Sequence, residues 1–418
     1  MTAALGTAEI VIWGVLTFSI LVVFHEMGHF LAARAFGVKV HEFMVGLPGP
    51  ALRLKTKNMA WGITAIPLGG YVRIAGMEPG PEDELLGAAL DAVRAAGSLD
   101  ARGLARDLGV QPDRAEALVA TLADWKAVVL DDDGFATLTL DGDITSLDSS
   151  GLADRARSVT YRGQSTLRRI IILAMGVLTN LALAILTFTV VLSIWGYVDL
   201  STQIDTVGEA TPAEAAGILP GDVLIALDGD QIDRWDTFQM LMSRTRPEQD
   251  VTLTVERAGE RIEIPVTLAD SDGHGYLGVG PTAVEVHPTV LESLGQSFRL
   301  TGLVFRAIVD LFNPTTFASS VQGVRGPVGI SVMAAEAAEA GPLSYAGLVA
   351  MLSLSLGVMN ILPLPPLDGG KIMLEIVERV MGRPISRAVS LGFSAVGAVL
   401  LFSLIGYIMY ADIARLAQ

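Results

Sequence analysis

The stretch His25-Glu26-Met27-Gly28-His29 places three ionisable side chains near the end of an apolar run from Ile10 to Ala33. On a helix, His25 and His29 are four residues apart and project from one face, so the two imidazoles can bind one Zn²⁺. Glu26 then stands beside the metal as a general base, a pattern typical of metallohydrolases. The run has the length and apolarity of a membrane span, where ionisable groups are rare and usually functional. The motif therefore favours an active site over a polar helix end at the interface.

The composition predicts a membrane-embedded chain with soluble inserts. The 418 residues are 51% hydrophobic and 18% charged, with a mean hydropathy of +0.50. The formal net charge of −16 argues against a nucleic-acid binder, which needs a basic face. Because the chain has no cysteine, only histidines and carboxylates can serve as zinc ligands. The first nine residues carry no Lys or Arg, so we expect no signal peptide and a retained first segment.

Four apolar runs are long enough to span a bilayer, and basic residues flank them unevenly. Lys and Arg cluster after the first run, before the second, and between the third and fourth. The positive-inside rule therefore predicts a multi-pass protein of the inner (cytoplasmic) membrane with both termini outside, 34–169 and 365–387 in the cytosol, and 196–344 external. The four runs are Ile10 to Ala33, Ile170 to Trp195, Tyr345 to Leu364 and Ala388 to Ile413.

A third candidate ligand follows from this topology. Runs one and three point the same way, so their late residues reach the same depth. Asp368 lies just past run three, in the proline-rich stretch from Asn360 to Gly370, and can meet His25 and His29 near the cytosolic face. Two histidines, one aspartate and an open water position form a catalytic zinc site. The prolines are expected to break the helix, which membranes tolerate beside a cavity.

At these motifs the chain resembles the bacterial site-2 proteases, zinc intramembrane metalloproteases of regulated proteolysis. The resemblance implies that His25, His29 and Asp368 bind zinc and that Glu26 is the base. It is carried by His25–Arg34, Leu68-Gly69-Gly70-Tyr71-Val72, Gly176-x-x-x-Asn180, Gly326-Pro327-Val328-Gly329 and the stretch from Asn360 to Gly370.

A membrane-associated β-hairpin is predicted in region 37–79. The short apolar runs Ile63–Ile66 and Tyr71–Ala75 flank the turn sequence Pro67-Leu68-Gly69-Gly70. In the resembled family this hairpin dips into the membrane, where an edge strand could pair with an extended substrate. Gly69, Gly70 and Tyr71 are thus expected substrate contacts. An ordinary cytosolic hairpin is the alternative.

Residues 80–160 are expected to form a winged-helix-like insert. Leu99 to Val110 and Pro112 to Asp124 have helical spacing, and Lys126–Leu130 and Phe135–Leu140 suggest a two-stranded wing. From Glu82 to Arg157 there are 16 acidic and 7 basic side chains, which disfavours DNA binding. We expect a cytosolic module that binds a protein partner or gates the site. A mere spacer is the alternative.

Two asparagines are candidate substrate-binding residues. Asn180 lies about ten residues into the second run, where an amide is costly unless paired. Relatives use the matching asparagine to hold an unwound substrate, whereas its alternative role is helix–helix packing. The resemblance at Asn360 adds that residue to the expected substrate contacts.

The external region is expected to contain one PDZ domain at 200–270, seen from Ile204 to Leu268. Its predicted peptide-binding loop consists of Gly217, Leu219, Gly221 and Asp222. The domain would accept a newly made carboxyl terminus or exclude bulky ectodomains. Within 288–344, Leu291 to Phe312 is predicted to be an amphipathic interfacial helix. We expect His41, His274 and His287 to be surface residues without partners.

The predicted fold is a polytopic α-helical membrane protein with four transmembrane helices, the hairpin, the winged-helix-like insert and the PDZ domain. By segment these are TM1 at 1–36, TM2 at 165–196, TM3 at 345–370 with its Leu-Asp-Gly motif, and TM4 at 388–413. The predicted function is cleavage of single-span membrane substrates, by resemblance anti-sigma factors or signal-peptide remnants, after a prior external cut. The rivals are an inactive scaffold, which has no use for Glu26, and a metal transporter, which would usually show inverted repeats.

Overall fold

The computed structural model describes residues 6–416, apart from 57–58, 67–68, 78–81, 141–142, 272, 312, 314 and 317–323, and excluding the side chains of 414–416. The chain divides into two compact units. The first comprises Met1–Thr189 with Leu294–Gln418, and the second comprises Val190–Ser293.

The described residues form helices and strands with the following bounds. The helices are α1 (Thr7–Ala35), α2 (Leu86–Ala96), α3 (Ala101–Leu108), α4 (Pro112–Asp124), α5 (Ser149–Arg157), α6 (Thr166–Trp195), α7 (Pro212–Ala215), α8 (Trp235–Met242), α9 (Val290–Asp310), α10 (Pro327–Ala340), α11 (Pro342–Ile361), α12 (Asp368–Met381) and α13 (Arg387–Leu416). The strands are β1 (Val40–Val45), β2 (Ala51–Lys55), β3 (Ala60–Thr64), β4 (Gly70–Ile74), β5 (Val128–Leu130), β6 (Ala136–Leu138), β7 (Tyr197–Val207), β8 (Val223–Leu227), β9 (Asp230–Gln231), β10 (Asp250–Arg257), β11 (Glu260–Thr267), β12 (Ala269–Ser271), β13 (His274–Tyr276) and β14 (Val279–Val286).

Four helices within the described residues are long and apolar enough to cross a membrane: α1, α6, α11 and α13. They coincide with the four predicted runs. The third ends earlier than predicted, at Ile361, and α12 begins at Asp368. The predicted segment 345–370 is therefore two helices, because prolines between them cannot donate helical hydrogen bonds.

The predicted hairpin is wrong in its pairing. Strands β3 and β4 both form, but the sheet order is β2-β3-β1-β4, so β1 separates them. β1 runs parallel to β3 and antiparallel to β4. Val40, Phe43 and Met44 of β1 are buried, and a strand with that much apolar surface to cover takes a central place. β4 is left at the edge of the sheet. Pro67 and Leu68 of the predicted turn lie outside the described residues.

The insert has the predicted α3, α4 and two short paired strands, β5 and β6. Two helices that the sequence reasoning omitted, α2 and α5, complete it. All six elements pack around one apolar core, whose fully buried members include Leu90, Leu104, Leu118 and Leu122. Asp100 caps α3 by accepting a hydrogen bond from the Gly103 N–H at 2.8 Å, which is a usual helix start.

His41 is not the isolated surface residue that was predicted. Its Nε2 lies 2.7 Å from the carbonyl oxygen of Asp124 and 3.2 Å from Asp124 Oδ1. The partner is 83 residues away, beyond any local pattern in the sequence. His274 and His287 are exposed, as predicted.

The second unit is larger than the predicted domain at 200–270. Its main sheet has the order β11-β10-β8-β7-β14, with β9 paired to β8. The last strand, β14, extends to Val286 and pairs with β7. Gly278, Gly280 and Pro281 interrupt the apolar alternation there, so the pattern does not indicate a strand. A core that includes Leu224, Leu253 and Trp235 lies against the sheet.

The described residues between β14 and α11 include two helices. α9 agrees with the amphipathic helix predicted from Leu291, and Phe312 of that prediction lies outside the described residues. α10 was not predicted as a helix. It packs closely on α1, since a Cβ added to Gly14 would lie 2.2 Å from Ser331 Oγ.

Candidate metal centre

Three ligand atoms converge between α1 and the start of α12. His25 Nε2 and His29 Nε2 lie 2.9 and 3.0 Å from Asp368 Oδ2, and 3.2 Å from each other. All three residues are buried. Zinc bonds of about 2.0–2.2 Å in a tetrahedral site place neighbouring ligand atoms about 3.3 Å apart. A shift of a few tenths of an ångström would therefore accommodate the metal.

The hydrogen bonds of the two imidazoles fit a metal-binding tautomer. His29 Nδ1 lies 2.8 Å from the carbonyl oxygen of Ile172, so Nδ1 carries the proton and the Nε2 lone pair faces the cluster. His25 Nδ1 lies 3.5 Å from Asn180 Nδ2. Rotating that amide would present Asn180 Oδ1, a buried atom without a hydrogen bond among the described residues, as the acceptor for a His25 Nδ1–H.

The Asp368 carboxylate is also placed to bind a metal ion. Lys371 Nζ donates to Asp368 Oδ1 at 3.2 Å. Asp368 Oδ2 is buried and forms no hydrogen bond to the described residues, although both imidazole nitrogens lie close to it. A buried carboxylate oxygen in this condition is unfavourable unless a cation satisfies it. The donor set therefore fits a divalent metal such as zinc.

A glycine makes room for the imidazoles. A Cβ added to Gly176 of α6 would lie 2.4 Å from His29 Nε2 and 2.9 Å from His25 Cε1. A Cβ at Gly28 of α1 would lie 2.2 Å from the Met175 carbonyl oxygen, so the backbones of the two helices approach closely. The Gly176-x-x-x-Asn180 spacing marked this position, but only the structure shows which rings the glycine faces.

Glu26 is held by a backbone donor that sequence reasoning missed. The Val72 N–H donates to Glu26 Oε2 at 2.9 Å. Val72 lies on β4, the edge strand. No side-chain pattern could have revealed this contact, because a backbone N–H is common to nearly every residue. The edge strand and the predicted base are thus in direct contact.

The residues predicted to hold substrate have different surroundings. Gly70 pairs with Val45, and Cβ atoms built on Gly69 and Gly70 would lie 3.9 and 3.7 Å from the Val22 side chain on α1. Tyr71 Oη points to Glu42, donating at 3.2 Å. These contacts place the start of β4 against α1, one turn before the histidines.

The two asparagines are both buried in helices. Ser353 Oγ donates to the Asn180 carbonyl oxygen at 2.9 Å, which joins α11 to α6. The side chain of Asn180 lies at His25, as described above. Asn360 donates instead to the Leu356 carbonyl oxygen of its own helix at 3.0 Å. The structure thus brings Asn180, but not the Asn360 amide, into contact with the histidines.

The predicted peptide-binding loop of the second unit disagrees with its expected role. The backbone N–H groups of Gly217, Leu219, Gly221 and Asp222 all donate within the unit, at 2.8–3.1 Å. Arg257 donates twice to the Asp222 carboxylate, at 2.7 Å each, and this hydrogen bonding lowers the pKa of Asp222. The loop is closed on itself, so these four residues do not present free donors to a peptide carboxylate.

Comparisons with known proteins match most of the chain to one protein family. The sequence profile described as Peptidase family M50 matches residues 13–404. The "Probable protease eep" of Enterococcus faecalis is 30% identical, over 89% of this chain and 91% of its own. The "Zinc metalloprotease RasP" of Shouchella clausii is 28% identical, over 96% of this chain and 97% of its own. The solved PDZ domain of an SdrC-like protein from Listeria innocua is 22% identical, covers 21% of this chain and 99% of that domain, and has a TM-score of 0.19.

Proposed function

We propose a function for this chain on the premise that it belongs to peptidase family M50. It is a multi-pass, site-2-type zinc metalloprotease. It cleaves the transmembrane segments of single-span proteins, such as anti-sigma factors or signal-peptide remnants, after a prior extracytoplasmic cut. The observation that carries this proposal is the convergence of three buried ligand atoms, within 3.2 Å, beside helices long enough to span a membrane.

His25, His29 and Asp368 would hold the zinc ion. Bound zinc lowers the pKa of a coordinated water towards about 7 and polarises a carbonyl group. Glu26 accepts the proton of the attacking water and delivers it to the leaving amine. Before a substrate arrives, the Val72 N–H holds one oxygen of Glu26.

The substrate must be unwound before it can be cut, because a helix hides its carbonyls in hydrogen bonds. An extended segment can add to the edge of β4 that no strand pairs with in the described residues, as strands do in β-augmentation. Gly69, Gly70 and Tyr71 would contact it, since they begin this edge. Asn180 would hold either the substrate backbone or the His25 ring. Asn360 is a weaker candidate, because its amide is already bonded to Leu356.

The insert, as a winged-helix-like module, would bind a cytosolic protein partner or gate the site. Asp124 supports a gating role, since its Oδ2 accepts from the Gly76 N–H at 2.8 Å, directly after β4. Lys126 Nζ donates to the Val40 carbonyl oxygen of β1 at 2.8 Å. A movement of α4 would therefore reach the sheet that holds Glu26. We assign the insert to the cytosol and the PDZ-like second unit to the outside, in the inner membrane, from the basic flanks.

The decisive test is Glu26→Gln in the purified full chain, with a single-span reporter as substrate. We expect cleavage to fall by at least about 10³-fold, because the proton acceptor is lost, while bound zinc measured by metal analysis is unchanged. Glu9→Gln, an exposed change on the same helix, is the matched control and should cleave normally. Preserved cleavage in Glu26→Gln would refute Glu26 as the general base. Absence of cleavage by the wild type would leave a scaffold or a metal carrier.

A further inference from the structure

A strongly basic cavity lies in the first unit, apart from the candidate metal centre. Its volume is about 400 Å³, within the usual range for small-ligand sites. It opens between the start of α6 and the second half of α12. Its lining includes five arginines in a chain whose net charge is −16: Arg157, Arg162, Arg169, Arg379 and Arg383.

Only part of this positive charge is neutralised locally. Arg157 pairs with Glu82 at 3.0 Å, and Arg169 pairs with Glu375 at 2.8 Å. Glu378 also lines the cavity and lies 3.7 and 3.9 Å from two of the arginines. Arg379 and Arg383 are exposed and form no ion pair within 4.0 Å among the described residues. The lining therefore retains an excess of positive charge.

Two further features favour an anion in this cavity. Arg169, which lines the cavity, has a buried Nε that forms no hydrogen bond within the described part of the chain. Thr166, the first residue of the 30-residue helix α6, also lines it. The first turn of a helix has N–H groups without intrahelical partners, and the helix dipole favours negative charge there.

The cavity lies where charged and apolar surfaces meet. The apolar run of α6 begins at Ile170, directly after Arg169. On α12, four apolar side chains beside the cavity arginines are exposed: Ile376, Val377, Val380 and Met381. An amphipathic helix with that exposed face is typical of the membrane interface, which is the level of lipid phosphates.

We propose that this cavity binds the phosphate of an anionic phospholipid head group. The guanidinium groups of Arg379 and Arg383 supply the free charge, and arginine forms paired hydrogen bonds with phosphate oxygens. The acyl chains follow the exposed apolar face of α12. The bound phosphate bridges α6 and α12, the helices that carry Gly176 and Asp368. This assignment depends on the membrane location of the chain and is independent of its proteolytic activity.

The test uses the full chain, delipidated in detergent and titrated with short-chain phosphatidylglycerol, phosphatidylcholine or inorganic phosphate. Bound lipid is counted by native mass spectrometry. We expect phosphatidylglycerol to bind the wild type, and Arg379→Gln/Arg383→Gln to weaken its affinity about 30-fold, at a roughly fivefold effect for each arginine. Phosphatidylcholine should bind at least tenfold more weakly than phosphatidylglycerol to the wild type.

The matched control is Arg102→Gln/Arg106→Gln, which removes two exposed arginines from α3 of the insert. It should bind phosphatidylglycerol as the wild type does, and an equal loss in this variant would overturn the site. Equal binding of the two lipids would refute anion selectivity. Binding of inorganic phosphate as tight as that of phosphatidylglycerol would assign the cavity to a soluble phosphate and overturn the lipid proposal. Arg383→Gln alone, expected to weaken binding about fivefold, guards against misfolding of the double variant.

Discussion

Asp222 and Asp368 are both buried aspartates, yet their surroundings differ sharply. Asp222 receives two hydrogen bonds from Arg257 and one from the Leu219 N–H. Asp368 receives one from Lys371, while its Oδ2 faces two imidazole nitrogens without a hydrogen bond among the described residues. The first carboxylate is saturated by its own chain. The second is left incomplete by its own chain.

The difference separates a structural carboxylate from one that can bind a ligand. Burial alone would class the two aspartates together, because both have little contact with solvent. The distinguishing quantity is the unused acceptor capacity at Asp368 Oδ2. In folded proteins such capacity is rare, and it usually marks a function or a missing ion. The following experiments test this distinction, starting with the largest expected effect.

Replacing Asp368 with Ala should abolish zinc binding, because only two protein ligands remain. Cleavage should fall by at least about 10³-fold. Metal analysis of dialysed protein measures the first effect and a reporter-span assay measures the second. Asp222→Ala is the matched control and should keep its zinc. Full zinc occupancy in Asp368→Ala would refute the proposed ligand set.

Gly176→Ala should disturb the imidazoles, since the added Cβ would lie 2.4 Å from His29 Nε2. We expect cleavage to fall about 100-fold, the usual result of misplacing reacting groups by about 1 Å. Zinc affinity, measured by competition with a chelator, should also fall. Gly392→Ala in α13, where a Cβ meets no atom within 4 Å, should leave both unchanged. Equal behaviour of the two variants would contradict the close contact.

Arg257→Gln should destabilise the second unit and leave zinc binding intact. It removes the two arginine hydrogen bonds from a buried carboxylate and leaves the one from the Leu219 N–H, so the thermal midpoint of that unit should fall by about 5 °C. The lowered pKa of Asp222 means that this stabilisation is present above about pH 4, the unfolded value, and is lost as the pH falls through the folded value. The difference between the midpoints of wild type and variant should therefore be constant from pH 7 to about pH 4 and begin to narrow below it. A difference that stays constant below that pH would show that Asp222 is not the group involved.

The smallest effect is expected from Lys371→Gln. Asp368 Oδ1 would lose a charged donor, and its carboxylate would be held less firmly towards the histidines. Because Lys371 is about half exposed, we expect zinc affinity to fall only about tenfold. Chelator competition measures this change, with Arg102→Gln, an exposed change in the insert, as the control. A loss as large as that of Asp368→Ala would assign Lys371 a larger role than support of the carboxylate.

The sequence predicted the parts of the site that depend on side-chain chemistry. His25 and His29 follow from helical spacing, and Asp368 follows from the equal depth of two runs. The four long helices were predictable because a run of about twenty apolar residues is typical of a transmembrane helix. The family resemblance then assigned roles to these residues.

The parts that could not be predicted depend on backbone donors and on distant pairing. The Val72 N–H bond to Glu26 leaves no mark in residue type. β1 lies between β3 and β4 in the sheet. The alternation of apolar and polar residues along a strand does not determine which other strand it pairs with. At Gly217 and Gly221 the loop motif was visible, but the direction of its amide groups was not.

The contact between Glu26 and Val72 has a consequence for the resting protein. A single backbone donor on an edge strand serves the base, and an extended peptide pairing at the same position would compete for that donor. Docking of a substrate would then exchange one acceptor for another and release the carboxylate at the moment it is needed. Binding of the peptide at this edge would thus free the Glu26 carboxylate to act as the base.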